Sequence, residues 1–190
     1  DWLGRNAAGL QQFGAAFRRA GEGWPDAVPG LLAIADDDAQ PAIVRGTALA
    51  MLTGFPGREA FTRIAAGVYD DDPLVRLGAI EGAQAFPPAA RQPLLEPLLS
   101  DPALAVRAEA GRSLAGVDPA TLSPAAGNAL RRALADYVEI QRHNADRPEA
   151  RLNLGNLYMA AGDPATAAEQ YRAALALDSA FVPAWNNLAD

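Results

Sequence analysis

Three arginines recur at equal intervals, and they are the first residues whose type and position suit binding chemistry. Arg45, Arg76 and Arg107 are evenly spaced along the chain, and each directly follows a valine. Three guanidinium groups on one surface would bind an anionic ligand, because each offers a planar fork of N–H donors. Acidic residues precede each arginine by a few positions. These carboxylates argue against an anion site, since they would already occupy the guanidinium groups.

Two runs of aspartate, at 36–38 and 70–72, raise the question of a calcium site. A calcium loop of the EF-hand type alternates its ligands and adds a central glycine and a distal glutamate. Consecutive aspartates before a helix do not supply that geometry, whereas they do accept hydrogen bonds from the free N–H groups of a helix start. We therefore predict helix caps in solvated acidic turns, and neither a metal site nor another cofactor.

Catalysis has few residues to build on in this chain. The sequence contains no cysteine and a single histidine, His143. Disulfides, thiolate ligands, cysteine nucleophiles and multi-histidine metal sites are therefore excluded within the sequence. We find neither a nucleophile motif such as G-x-S-x-G nor a glycine-rich phosphate loop. We predict that the protein is not an enzyme and has no catalytic residues.

The composition favours an all-helical protein that binds neither DNA nor RNA. Half of the 190 residues are hydrophobic, and the formal net charge is −7. Alanine, the best helix former, supplies much of the apolar content, while the β-branched residues of strands are sparse. Nucleic-acid surfaces need clustered positive charge. A membrane-spanning helix needs about 20 apolar residues in a row, and no such run exists.

A unit of two short helices is repeated three times in the first two thirds of the chain. The turns inside the units are DDDAQP (36–41), DDDP (70–73) and SDP (100–102), and an apolar segment precedes each, at 28–35, 60–69 and 92–99. Aspartate followed by proline is typical of a helix start, because proline needs no N–H partner there. A single helix pair cannot bury its apolar face alone, so we expect the pairs to stack.

This pattern, with alanine three positions after each arginine, resembles HEAT repeats of the short type. The resemblance covers roughly residues 22 to 117, and we predict three repeats over 22–118. Before them, Leu10, Phe13 and Phe17 share one helical face, which predicts a capping helix at 1–21, with the remnant of an earlier repeat as the alternative. The resemblance implies an all-α fold, a right-handed superhelix (solenoid) of helical hairpins.

The resemblance also implies a structural role for the three arginines. Each would bond to the turn carboxylate of its own or a neighbouring unit, so that Arg45, Arg76 and Arg107 form a ladder. The aspartates satisfy the N–H groups at the helix starts, and a planar, multidentate guanidinium then neutralises them. An anion-binding groove remains the alternative.

The end of the chain has a different and slightly longer repeat length, in which Leu154 and Leu188 occupy equivalent positions. The segment 148–181 resembles a tetratricopeptide repeat, and the residues that carry the resemblance are Leu154, Gly155, Tyr158, Ala167, Tyr171 and Ala174. A further repeat begins after it, with Trp185 at a position where we expect packing. Counted back by one period, Tyr171 corresponds to Tyr137, which predicts a degenerate earlier half repeat. The tetratricopeptide-like region is thus placed at 119–190.

The tetratricopeptide resemblance points to one candidate binding face. In such domains, asparagines on the concave face help to hold the carboxylate of a bound peptide, and Asn156 and Asn187 match their positions. The basic residue expected one turn before Asn156 is absent, since Leu152 occupies that place. The predicted peptide-binding residues, as implied by this resemblance, are Glu149, Leu152, Asn156, Met159 and Asn187.

Two functions remain open at the level of the sequence. The first is a protein-interaction scaffold that binds a protein or peptide on its concave face. The second is an architectural C-terminal appendage of a larger haem-containing bacterial protein, exported or not, without a ligand of its own. It follows from a resemblance of the chain to the C-terminal part of bacterial multihaem cytochrome-like proteins. The sequence opens at Asp1 without methionine. We therefore expect a fragment or a processed product, whose partners include other domains of the parent chain and whose compartment stays open.

Overall fold

The computed structural model describes residues 7–189, and it describes side chains from residue 13 onward. Every regular element in this part of the chain is helical, and no strand occurs there. The all-α fold class is therefore confirmed. The α-helices are α1 (Ala7–Gly21), α2 (Val28–Asp36), α3 (Ala42–Met51), α4 (Arg58–Gly67), α5 (Pro73–Gly82), α6 (Pro88–Leu95), α7 (Leu104–Ser113), α8 (Pro124–His143), α9 (Pro148–Ala160), α10 (Pro164–Leu177) and α11 (Val182–Ala189).

The chain divides into two compact units, Asp1–Leu98 and Leu99–Asp190. Helices α1 to α6 lie in the first unit and α7 to α11 in the second. The division falls between the two helices of the third predicted HEAT-like repeat. The domain boundaries placed at 21 and 118 by the sequence stay a prediction, and residues 1–6 of the predicted capping segment lie outside the described residues.

Large aliphatic side chains at helical spacing form the core of the first unit. Burying each of them contributes about 1.5–3 kcal/mol relative to leaving it in water. Those that are fully buried are Leu31, Leu49, Leu52, Ile64, Val68, Val75, Ile80 and Leu95. The apolar stripes that the sequence places on α2 to α5 therefore face inward, as the period of an α-helix requires.

Helices α3 and α5, the second helices of the first two repeats, approach each other at backbone distance. A Cβ atom added to Gly78 would overlap the carbonyl oxygen of Gly46, and one added to Gly46 would overlap that of Leu74. Glycine lowers the stability of a helix interior. Its presence in both helices is explained by this close approach, which no residue with a Cβ could make.

The predicted Asp-Pro helix start occurs at α5 and differs at the other two repeats. Asp72 Oδ1 accepts a hydrogen bond from the Leu74 N–H at 2.8 Å, and Pro73 is the first helical residue. By contrast, α3 and α7 begin one and two positions after Pro41 and Pro102. The prediction was wrong there, because in both turns the chain stays extended through the residue before the helix.

The apolar segment at 92–99 does not form one continuous α-helix as predicted. Helix α6 ends at Leu95, and Glu96–Ser100 continues as a 3₁₀ turn. Two prolines explain the change. Pro93 and Pro97 lack the N–H that an α-helix needs, and their rings crowd the preceding turn.

In the second unit, α9 and α10 form the best-defined hairpin. A Cβ on Gly155 of α9 would overlap the Tyr171 ring of α10, so the aromatic side chain packs directly on the glycine. Gly162 ends the turn with φ +78°, a conformation that favours glycine. Asp163 then caps α10 by accepting a hydrogen bond from the Thr166 N–H at 3.1 Å. The sequence AGDP (161–164) predicts this turn, with Gly162 after the helix end and Asp163-Pro164 at the next helix start, and the structure agrees.

Trp185 does not lie in a core, and the expectation that it packs there was wrong. Its side chain is 55% exposed on α11, although its indole N–H donates to the Ser179 carbonyl at 3.0 Å. Of the described helices, none has both the length and the hydropathy needed to cross a bilayer.

Candidate binding site

Asn156 lies at the exposed surface of α9, and two hydrogen bonds fix its side chain. The Tyr171 hydroxyl donates to Asn156 Oδ1 at 3.0 Å, and Asn187 Nδ2 donates to the same oxygen at 2.7 Å. Among the described residues, Asn156 Nδ2 has no acceptor. The amide is thus oriented through its oxygen, and its N–H groups remain donors for a bound molecule.

The structure places the other predicted site residues around Asn156 in two different environments. Glu149 and Met159 are exposed on α9, and the Met159 side chain is 46% exposed. Leu152 is half-buried and packs against a core cluster shared by α10 and α11. Asn156 and Asn187 are in direct contact, whereas Leu152 contributes mainly to packing. The role of all five predicted residues in binding a peptide stays a prediction.

A cavity of about 290 Å³ lies beside Asn156, between helices α7, α8 and α9. Its lining is mixed, with one ion pair, two amides and one phenol together with aliphatic carbon. The lining residues are Glu109, Arg112, Tyr137, Asn153, Asn156, Leu157 and Ala160. Of these, the sequence predicted only Asn156 as a site residue.

Charges of opposite sign stand together on the α7 wall of this cavity. Arg112 Nε donates to Glu109 Oε2 at 2.6 Å, and both side chains are partly exposed. On the α9 wall, Asn153 Nδ2 donates to Gln141 Oε1 at 3.2 Å. The cavity therefore presents both donors and acceptors without a large net charge.

Tyr137 closes the cavity on the side of α8. Its side chain is 3% exposed and belongs to a core cluster with Ala108, Ala115 and Leu157. Burial, and to a lesser extent the nearby Glu109 carboxylate, raises the pKa of Tyr137 to about 12. The phenol therefore stays protonated at ordinary pH and is a hydrogen-bond donor.

The repeat arginines bond to the acidic turns, beginning with Arg45. Its Nη1 lies 2.6 Å from Asp70 Oδ2 in the next turn and 3.4 Å from Asp38 Oδ1 in its own turn. Burial alone would raise the pKa of Asp70, but hydrogen bonds from Arg45 and from the Asp72 N–H outweigh it and hold that pKa below its ordinary value. The carboxylate is thus stabilised in its charged form.

The other two repeat arginines also contact their own turns. Arg76 Nη1 donates to the carbonyl oxygens of Asp70 and Asp71 at 2.7 and 2.9 Å. Arg107 donates to the Asp101 carbonyl at 3.2 Å, and its Nε reaches Asp136 on α8 at 2.6 Å. The acidic partner of Arg107 is therefore on a helix that follows, a pairing that the regular spacing of the arginines does not reveal.

Residues 28–115 match the family model for HEAT repeats, and residues 148–190 match that for the tetratricopeptide repeat. The chain carries HEAT repeats followed by tetratricopeptide repeats. Proteins built from these repeats are generally scaffolds for protein–protein interaction. No curated protein matches the chain, and no solved structure does. Neither family match supports the faint resemblance to multihaem cytochrome-like proteins.

Within the HEAT repeats, one ion pair between repeats was missed by the sequence analysis. Arg63 on α4 bonds to the Ala35 carbonyl and pairs with Asp36 on α2, with Nε and Oδ1 2.6 Å apart. It joins the first helices of two successive repeats. Its only signal in the sequence is a charge inside the apolar segment 60–69, and the other repeats show no arginine at the equivalent position.

The second unit also holds functional candidates that the sequence did not single out. Tyr137 was found through its correspondence to Tyr171 one period later, but not as part of a cavity. Glu109 and Arg112 belong to the last HEAT helix and follow neither period. Over residues 13–189, no three acidic or histidine side chains are grouped so as to hold a metal ion.

Proposed function

We propose that this HEAT and tetratricopeptide chain is a non-enzymatic scaffold that binds a protein segment or peptide over the exposed face of α9. The residues in contact would be Glu149, Leu152, Asn156, Met159 and Asn187. One observation carries the proposal: the Asn156 amide is held by two hydrogen bonds to its oxygen, while its N–H groups have no acceptor among the described residues.

A fixed donor favours binding of a peptide for a physical reason. The backbone of an extended peptide offers carbonyl acceptors, and a donor that is already oriented loses little side-chain entropy when it binds one. Met159 adds a flexible apolar contact that adapts to different side chains. Exposed Glu149 adds an acceptor for the peptide N–H groups.

The test of this function starts from peptides selected on the immobilised chain from a random display library. Calorimetric titration then gives their affinity for the wild type and for two variants. Asn156→Ala removes the amide, and Asn156→Asp keeps an acceptor for Tyr171 and Asn187 while it removes the donor. We expect both to weaken binding by roughly tenfold, the effect of losing one well-placed polar contact.

Asn186→Ala is the matched control, because it removes an exposed amide from α11, next to the candidate face. It should leave the affinity unchanged. Peptides that bind the wild type, Asn156→Asp and Asn156→Ala equally well would refute the proposed face, and failure to select any peptide would refute peptide binding itself.

The arginine ladder is proposed as a structural feature of the HEAT repeats. Arg45, Arg76 and Arg107 each bond to groups of their acidic turns, which supports a role in setting the turns rather than in binding an anion. The guanidinium groups would then be unavailable to an anionic ligand.

An architectural role is the second candidate, favoured by apolar side chains at the end of the second unit. Leu177, Val182 and Trp185 are all exposed there. They would contact a further domain of a longer chain. Quenching of Trp185 fluorescence by acrylamide, in a variant that carries both Trp2→Phe and Trp24→Phe, tests this idea. Shielding in the presence of such a domain supports it, and unchanged quenching contradicts it.

A further inference from the structure

We infer that the cavity between α7, α8 and α9 is a subsite for a neutral side-chain carboxamide, that of a glutamine or asparagine in the bound segment. The inference deepens the proposed function and rests on it, because Asn156 belongs both to the α9 face and to the cavity wall. Three independent observations carry it: a donor without a protein partner, a repeat equivalence, and the balance of charge.

The donor without a partner is the hydroxyl of Tyr137. The side chain is only 3% exposed and lines the cavity, yet among the described residues its hydroxyl has no hydrogen-bond partner. The hydroxyl oxygen is not among the buried atoms that lack a partner, so it reaches the cavity and can donate to a bound acceptor there. A ligand acceptor in the cavity would supply the missing partner.

The repeat period shows which kind of partner is missing. One repeat later, Tyr171 and Asn187 both donate to the side-chain oxygen of Asn156. Counted back by the period that relates Leu188 to Leu154, these two donors correspond to Tyr137 and Asn153, and both of them line the cavity.

The side-chain oxygen of Asn156, which accepts both of these hydrogen bonds, has no counterpart in the earlier repeat. One period before Asn156 stands Leu122, which has no side-chain acceptor and does not line the cavity. Leu122 follows a 3₁₀ turn, Pro119–Thr121, because the first helix of a standard tetratricopeptide hairpin is absent from this half repeat. The cavity thus takes the place that a carboxamide side chain occupies in the next repeat.

The charges around the cavity select a neutral group. Glu109 and Arg112 neutralise each other at 2.6 Å, so the wall attracts neither an anion nor a cation strongly. A ligand carboxylate would lie close to Glu109, and a ligand ammonium close to Arg112. A carboxamide instead offers an oxygen to the Tyr137 hydroxyl and N–H donors to the Glu109 carboxylate.

The test uses three small probes that differ only in the side chain. They are the N-acetyl, N-methylamide derivatives of glutamine, glutamate and methionine, titrated into the whole ¹⁵N-labelled chain. The measured signals are the side-chain amide resonances of Asn153 and Asn156. We expect a saturable shift with the glutamine probe, at an affinity several times higher than for the other two probes.

Tyr137→Phe removes the proposed donor while it keeps the ring in its core cluster. We expect the glutamine probe to bind this variant roughly three- to tenfold more weakly, the effect of one lost neutral hydrogen bond. Tyr158→Phe makes the same chemical change on α9 at a residue that does not line the cavity, and it should leave the probe affinity unchanged.

Several results would overturn the inference. These are no saturable shift with the glutamine probe, equal binding of all three probes, tighter binding of the glutamate probe, or an unchanged affinity in Tyr137→Phe. If Tyr137→Phe does not fold, the relative affinities of the wild type for the three probes still test the inference. Because the probes are single residues, a negative result refutes the subsite alone, while the selected peptides test the α9 face separately.

Discussion

At the scale of single residues, several polar side chains of this protein bond both to their own turn and to a neighbouring helix. Asp70 illustrates this, because it receives Arg45 from the preceding repeat and the Asp72 N–H from its own turn. The Arg45 and Asp70 side chains are only 11% and 15% exposed, so solvent screens the pair weakly. Such pairs contribute more than ion pairs on the surface.

The Arg45–Asp70 pair can be tested by an isosteric change. Asp70→Asn removes the charge and leaves the Arg45 guanidinium with a poorer partner, so we expect the free energy of unfolding to fall by about 2 kcal/mol. Asp26→Asn breaks the Arg19–Asp26 pair, which is largely exposed at 3.0 Å, and should cost less than about 0.5 kcal/mol. Urea titration, monitored by circular dichroism, measures the free energy of unfolding of both variants. Equal effects of the two variants would contradict a structural role for Arg45.

The same pair predicts how stability changes with pH. Since the pKa of Asp70 is lowered in the folded chain, its contribution is present above the unfolded value of about 3.9 and is lost as the pH falls through the folded pKa. The stability difference between wild type and Asp70→Asn should therefore shrink in acid. A difference that stays constant from neutral pH into acid would exclude this linkage.

At the scale of helices, the packing of the first two HEAT repeats depends on glycines as well as on apolar residues. The contact between α3 and α5 joins backbone to backbone at Gly46 and Gly78. Sequence patterns find the apolar stripe of each helix, because that stripe follows the helical period. They do not show which residue a glycine contacts in a neighbouring helix, because that contact depends on tertiary packing.

Gly78→Ala tests the close approach of α3 and α5. The added methyl would meet the Gly46 backbone, which cannot swing away as a flexible side chain can, so we expect a loss of about 3 kcal/mol. Gly54→Ala is the control, because a Cβ there meets nothing within 4 Å. It should change the free energy of unfolding by less than about 0.5 kcal/mol. A Gly78→Ala variant as stable as the control would show that the helices lie further apart.

At the scale of the whole molecule, each compact unit has its own set of buried side chains. Stability in repeat proteins is close to a sum of local contributions from neighbouring elements. A substitution should therefore act first on the unit that contains it, and this expectation can be measured.

Gly78→Ala and Gly155→Ala form a matched pair for that measurement. The first disturbs the α3–α5 contact, and the second pushes the Tyr171 ring away from α9 and from Asn156. We expect amide hydrogen exchange to become faster mainly within residues 13–98 for the first and mainly within 99–189 for the second. Uniformly faster exchange over both ranges in either variant would contradict local stability.

The sequence by itself determined the helical class, the two repeat periods and the families, because these depend on short-range patterns: apolar spacing, caps, turns and the recurrence of Val-Arg and Leu-Gly. It also paired Asn156 with Asn187, because both match asparagine positions on the concave face of tetratricopeptide domains, and the structure places the two in contact. Only the tertiary structure showed that Arg63 pairs with Asp36, and that Glu109 and Arg112 of the last HEAT helix share a cavity with Tyr137 and Asn156. The physical reason is that these contacts join residues of helices far apart in the chain. Whether these residues come into contact depends on how closely the side chains and glycines allow the helices to pack. Local sequence patterns carry no information about that packing.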